Sequence, residues 1–298
     1  MSGKPSFTRR LSWRLEALAY DSLSLLLKLF PFGAISSFGG GLLRLIGPLT
    51  SKHTIARKGL RLAFPDKSEA EIKALLRGQW ENTGRTFAEF PIMHRVKAFD
   101  DTDRVDVRGL EIFEANKPAI FISGHFANWE VMATVLTQSG HSVRVTYRQI
   151  NNPHIDKRVR EQRERYGTKF LVQKAGIKSG RELFDTLNNG ESIAILNDQK
   201  FNGGLSVPFF GHEAMTAQGA VRLALKTGRP IVPMGVVRNG AKFIVTYYPP
   251  LELSKSGNRE TDLFAGVTQI NRFMEDRVKE HPDQWFWVHR RWPKEHYR

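Results

Sequence analysis

Of the nine histidines in the chain, His125 alone is followed five residues later by a carboxylate, Glu130. The stretch that holds them reads Pro118-Ala-Ile-Phe-Ile-Ser-Gly-His-Phe-Ala-Asn-Trp-Glu130. Imidazole titrates near neutrality, so it can take a proton from an attacking hydroxyl and return it to a leaving group. A carboxylate beside it fixes the ring tautomer and stabilises the imidazolium that forms. On one continuous helix, five steps at 3.6 residues per turn set two side chains about 140° apart, and they would not meet. A turn between them changes that. Ile120, Phe121 and Ile122 read as a buried strand that ends at Ser123-Gly124, with His125 on the turn. Asn128 is placed to N-cap a helix beginning near Trp129, and Glu130 in its first turn can fold back towards the ring. A satisfied structural His–Glu pair meets the same pattern, and the residues alone leave both readings open.

Other chemistries find less support. The chain has no cysteine, which removes disulfides, zinc ribbons, iron–sulfur ligation and a Cys nucleophile, and it fits a reducing compartment. The G-x-G-x-x-G, P-loop, H-E-x-x-H and G-x-S-x-G patterns are absent. The histidines show no metal-ligand spacing with carboxylates, so no metal is expected.

The elements that must hold the motif follow from the patterning. From about Asp103, short apolar runs alternate with helical stretches. Strands are expected at Val105–Val107, Ala119–Ser123, Ser142–Tyr147, Ser192–Leu196, Ile231–Val237 and Phe243–Tyr248. Helices are expected near 128–139, 153–166, 179–189, 216–228 and 261–280, and an amphipathic one at 68–90, where Ser68 and Glu71 make a capping box. That alternation predicts an α/β fold with a mostly parallel central sheet covered by helices, and it puts His125 at the carboxyl end of a strand, where such sheets bind ligands. Residues 51–298 are expected to form this single domain.

Residues 1–50 differ. Lys4, Arg9, Arg10 and Arg14 lead into an apolar stretch from Leu15 to Leu49 that is interrupted by Asp21, Lys28, Pro31, Arg44 and several glycines. A bilayer span needs about 20 clean apolar residues, so the segment is expected to be a helical anchor lying in the membrane surface. An ordinary pair of core helices is the plainer alternative. With 45 Lys+Arg against 30 Asp+Glu, the chain carries a net charge of +15 and calls for anionic partners such as lipid headgroups, an acidic protein or nucleic acid.

The segment Gly124-His125-Phe-Ala-Asn-Trp-Glu130 resembles the H-x4-D/E motif of glycerolipid acyltransferases. In its Asn-Trp-Glu form it is similar to the lipid A biosynthesis late acyltransferases, which include lauroyl and myristoyl transferases. Further blocks agree in order: Tyr147-Arg148 with Asn152-Pro153 and Arg163-Glu-Arg165-Tyr-Gly167; Asn197-Asp198-Gln199 with Val207-Pro208-Phe-Phe-Gly211; and Trp285-Phe-Trp287-Val-His289-Arg290-Arg291-Trp292. The resemblance runs from about residue 15 to the end. It implies a glycerolipid-acyltransferase-like fold and transfer of a fatty acyl chain from the thioester of acyl carrier protein to a 3-hydroxyacyl hydroxyl of an anionic, Kdo-bearing lipid A precursor. His125 would be the base and Glu130 its orienting acid. Arg148, Arg165, Asp198, Gln199 and Asn128 would bind substrate.

Arg165, with backbone N–H groups near Gly124 and His125, is the candidate oxyanion donor, and Asp198 would position Arg165 or Arg148. Each of these three has a plainer alternative as a solvated charge or a turn cap. No cofactor is implied, because the thioester is already activated. The implied location is the cytoplasmic face of the cell inner membrane. Two rivals stand beside this reading: an acyltransferase of the same superfamily acting on another acceptor such as phosphatidylinositol mannoside, and a non-catalytic basic protein of membrane surfaces or RNA. The second lacks an aromatic RNA-binding signature, and no nucleic-acid partner is expected.

Overall fold

A computed structural model describes residues 6–100, 104–172 and 177–298. Four helices come first: α1 (Phe7–Leu27), α2 (Phe32–Ile46), α3 (Ser51–Ala63) and α4 (Glu69–Glu89). The capping box closes at the start of α4, where the Ser68 hydroxyl accepts from the Glu71 N–H and the Glu71 carboxylate accepts from the Ser68 N–H. Then follow β1 (Val105–Arg108), α5 (Leu110–Asn116), β2 (Ile120–Ser123), α6 (Glu130–Gln138), β3 (Val143–Tyr147), α7 (Pro153–Glu164), β4 (Lys169–Val172), α8 (Ile177–Asn188) and β5 (Ser192–Leu196). The chain continues with the hairpin β6 (Leu205–Phe209) and β7 (His212–Thr216), then α9 (Gly219–Thr227), β8 (Ile231–Asn239), β9 (Lys242–Tyr247) and α10 (Arg259–Glu280).

Seven strands form one sheet in the order β1-β9-β8-β2-β5-β3-β4. Every neighbouring pair is parallel except the hairpin β8–β9. The expected α/β fold with a mostly parallel, helix-covered sheet is therefore the observed one. Strand β2 lies inside the sheet and is buried along its whole length, as its unbroken Ile-Phe-Ile run requires. Helices α6, α8 and α9 pack on the strands around it.

The N-terminal helices are packed onto this unit. Helix α2 crosses α4 at Gly39 and Gly84, so closely that a Cβ on Gly84 would lie 2.1 Å from the Gly39 carbonyl oxygen. Only glycine permits that approach. Phe32 and Ile35 of α2 enter the core, and α1 is tied to α7 by the Asp21–Arg158 ion pair. Asn152 strengthens the tie: its Nδ2 donates to the Trp13 carbonyl (3.0 Å) and the Glu16 carboxylate (2.8 Å), while its Oδ1 caps α7. The outer faces of α1 and α2 stay bare. Phe7, Leu11, Leu15 and Leu18 recur at helical spacing on α1 and all are exposed, as are Leu29, Phe38, Leu45 and Leu49 further on. Phe32–Leu49 passes for a membrane-crossing segment by length and composition, but its helix α2 has 15 residues and rises only about 22 Å, short of the roughly 30 Å hydrocarbon core.

Candidate active site

Strands β2 and β5 are parallel neighbours with Ser123 opposite Leu196. Two residues past each of these positions stand His125 and Asp198, so the sheet register itself brings them together. The Nδ1 of His125 lies 2.7 Å from Asp198 Oδ1, and the backbone N–H of His125 donates to Oδ2 at 2.8 Å. The indole N–H of Trp285 donates to the same Oδ2, also at 2.8 Å. Burial pushes the Asp198 carboxyl up, but the imidazole and these three hydrogen bonds outweigh it and hold the group down to about 2. An ionised Asp198 can only accept, so the shared proton sits on Nδ1 and the Nε2 lone pair is left to act as a base.

The outer side of the ring is aromatic and partly open. His125 meets Trp129 edge-on, with centroids 4.9 Å apart, and Phe286 at 6.1 Å; Phe286 in turn touches Phe87, which is 54% exposed on α4. The Gln199 amide stands 3.4 Å from Nε2, where an incoming hydroxyl could take its place. An apolar wall beside a ring nitrogen whose lone pair carries only the long Gln199 contact suits an acyl chain with a reacting carbonyl at its end.

The turn between β2 and α6 is clamped from two sides. Ala127 adopts a left-handed backbone (φ 41°), a strained conformation for a residue with a Cβ. Its carbonyl accepts from Thr86 Oγ1 (2.8 Å) and Asn82 Nδ2 (3.3 Å) of α4, and its N–H donates to the Gln284 carbonyl (2.7 Å). Gly124 has no room for a side chain, because a Cβ would lie 2.7 Å from the Phe126 ring and 3.1 Å from Asp198 Cβ.

The sequence motif placed Glu130 against His125, and here the structure differs. The Glu130 carboxylate takes the Arg163 guanidinium on both oxygens, with Nε donating at 2.9 Å, and accepts from the Tyr166 hydroxyl at 2.7 Å. A permanently charged guanidinium offers two parallel donors, which a neutral imidazole cannot match. Burial raises the Glu130 carboxyl, but Arg163 and Tyr166 more than compensate and keep it below its usual range.

The remaining expected site residues scatter. Asn128 stands one residue ahead of Trp129, the N-cap of α6, and its Oδ1 accepts from the Glu130 N–H (3.2 Å); it is fully buried and its Nδ2 is held by Glu89 (2.7 Å), so it faces no substrate. Glu89 is itself paired with Arg238 in a buried network that includes Asn82. Asp198 serves His125 and Trp285, not an arginine. Arg148 is exposed just past β3, two strands from β2 and so about 10 Å along the same sheet edge. Arg165 is exposed at the end of α7, and the His125 N–H is committed to Asp198, so neither stands ready as an oxyanion donor.

The basic run on α7 is spent largely on pairs: Lys157–Glu161, Arg158–Asp21, Arg160–Glu164 and Arg163–Glu130. In the closing block, Arg291 and Trp292 are buried. Sequence reasoning missed Asp198 as the partner of His125 and missed the parts of Arg163, Tyr166 and Trp285. The one available signal was that His125 and Asp198 each stand two residues beyond a short apolar strand.

The sequence pattern of the bacterial lipid A biosynthesis acyltransferases matches residues 6–294. The chain belongs to that family. It is an acyltransferase. Similar proteins include the lipid A biosynthesis lauroyltransferase of Escherichia coli, 25% identical with 98% of this chain and 96% of that one covered. The palmitoleoyltransferase of the same organism is 24% identical over 82% of this chain and 79% of its own. A phosphatidylinositol mannoside acyltransferase of Mycolicibacterium smegmatis is 23% identical, covering 68% and 66%. Among solved structures, the 1-acyl-sn-glycerophosphate acyltransferase of Thermotoga maritima aligns over 89% of this chain and 98% of its own, at 14% identity and a TM-score of 0.37.

Proposed function

We propose that this acyltransferase moves a fatty acyl chain from the thioester of acyl carrier protein to a 3-hydroxyacyl hydroxyl of an anionic lipid A precursor, with His125 as general base. One observation carries the reading: His125 has Nδ1 locked on a buried, ionised Asp198 while Nε2 opens beside the aromatic wall of Trp129 and Phe286. The acceptor hydroxyl attacks the thioester carbonyl as Nε2 takes its proton. The tetrahedral intermediate collapses, the C–S bond breaks, and the imidazolium returns the proton to the departing thiolate. A new ester and a free carrier thiol remain. A positioned base of this kind contributes about 10²–10⁴-fold. Asp198 orients the ring, and Glu130 anchors the catalytic turn through Arg163 and Tyr166. Exposed Arg148 at the same sheet edge is the candidate for the lipid phosphates, with Gln199 next to the reacting hydroxyl.

The bare leucine face of α1 and α2, with Arg9, Arg10 and Arg14 beside it, supports seating in the cytoplasmic leaflet of the inner membrane without crossing it. The net charge of +15 suits both an acidic carrier and an anionic lipid. Mass spectrometry of lipid A from cells with and without the gene tests the reading, alongside cells that make only His125→Ala. The expected result is a lipid that lacks one acyl chain in both the null and the variant. Unchanged lipid A with an altered mannoside lipid would move the acceptor to that class, and full acylation by His125→Ala would remove the base.

A further inference from the structure

Both oxygens of Asp198 are occupied, and the outermost donor comes from far along the chain. Trp285 follows α10 and the turn Pro282–Gln284. It pairs with Phe126 as an antiparallel bridge across the catalytic turn, is 3% exposed, and packs edge-on against Trp287 with centroids 4.6 Å apart. Its indole is thus fixed before it donates. We propose that Trp285 is a positioning residue for acyl transfer: its indole N–H pins Oδ2 of Asp198, so that Oδ1 stays on Nδ1 of His125 and the Nε2 lone pair keeps its outward aim. The inference rests on His125 being the base.

Geometry gives the reason. With Trp285 in place, Oδ2 takes two donors at 2.8 Å and Oδ1 one at 2.7 Å, which resists rotation about the Cβ–Cγ bond. Without the indole, Oδ2 keeps a single backbone donor, and negative charge shifts towards Oδ1 and the ring. The imidazolium is then held more tightly, so the base releases its proton only at higher pH. Among the described residues, His289 and Arg291 of the same C-terminal segment also feel the charge of Asp198. Arg291 is buried on the neutral oxygens of Met215, Thr216 and Asn271, and burial lowers it to about 10, so it stays cationic throughout the range that matters. His289 is lowered by burial, so its own titration moves to lower pH, away from neutrality. Neither supplies a competing titration above neutrality.

The test is Trp285→Phe in the full-length enzyme, with acyl carrier protein and lipid acceptor, followed across pH. The expected result is a fall in kcat of about tenfold, KM values within twofold of the parent, and an acid limb displaced upward by about half a pH unit. In an Asp198→Asn background the same change should cost less than twofold, because the route through the carboxylate is gone. If Trp285→Phe folds poorly, replacing the indole with the isosteric benzothiophene removes only the N–H, and the same limb displacement is expected. A merely structural tryptophan would lower kcat equally at every pH, or equally in the Asp198→Asn background; either result overturns the inference. An Asp198→Asn enzyme as active as the parent would instead overturn the reading of His125 on which the inference stands.

Discussion

Replacing Glu130 by Gln separates two accounts of that residue. If it oriented His125, the variant would lose turnover and keep its stability. In the structure its charge is matched to Arg163, whose side chain is only 20% exposed. Glu130→Gln leaves that largely buried guanidinium without an anion, and stranding one partner of a buried pair costs about 3–5 kcal/mol. Because Arg163 keeps some water, the lower end applies, about 3 kcal/mol. A melting entropy of roughly 2.1 cal/mol/K per residue over 298 residues gives about 0.6 kcal/mol/K. The midpoint should therefore fall by about 5 °C, read by thermal unfolding of the purified protein in detergent. Removing the second charge as well, in Glu130→Gln/Arg163→Met, should recover all but about 2 °C, since neutral isosteres of a buried pair are tolerated. The loss of kcat in Glu130→Gln should be smaller than in Asp198→Asn. An unchanged midpoint together with a collapse of turnover would refute the assignment of Glu130 to Arg163.

Two further outcomes follow from the geometry. Asp198 titrates near 2 in the fold and near 3.9 in an unfolded chain, so its contribution of about 2–3 kcal/mol is complete above pH 4 and is lost as pH falls towards 2; the unfolding midpoint should drop more between pH 5 and 3 in the parent than in Asp198→Asn, and parallel curves would refute the depressed carboxyl. Leu15, Leu18 and Leu45 are 59%, 62% and 72% exposed on α1 and α2, and each contributes about 1.5–3 kcal/mol when buried in lipid, so the triple substitution to Glu should move the folded protein from the membrane to the soluble fraction on sedimentation; a variant that still sediments with vesicles would dismiss this face as the anchor.

Much of the frame was legible because burial on both faces forces unbroken apolar runs. Ile120–Ser123 reads as a strand for that reason, Ser192–Leu196 reads as one from its short apolar run, and the observed ends fall within a residue of the expected ones. Strand β4 escaped because it is a four-residue edge strand whose Lys169-Phe-Leu-Val pattern carries little signal. The hairpin β6–β7 escaped because Pro208 and the Phe210-Gly211 turn mask its alternation.

The site was legible only in part, and the limit was spatial order. His125 was visible from the strand that ends just before it, but its partner lies 73 residues away, just past a strand that sits between β2 and β3 in the sheet. Chain order does not give that neighbour. Glu130 was read correctly as lying in the first turn of a helix but given the wrong partner, since Arg163 arrives from another helix, 33 residues on.

Helix α4 touches both ends of the problem: Gly84 meets Gly39 of α2, and Asn82 and Thr86 hold the carbonyl of Ala127 in the turn that carries His125. On the proposed membrane seating, one stiff rod therefore fixes how high the imidazole rides above the headgroup plane. Acceptors would be sorted by the depth at which they offer a hydroxyl as much as by its identity. A lipid whose free hydroxyl sits a few ångströms too shallow or too deep would dock by its phosphates and go unmodified.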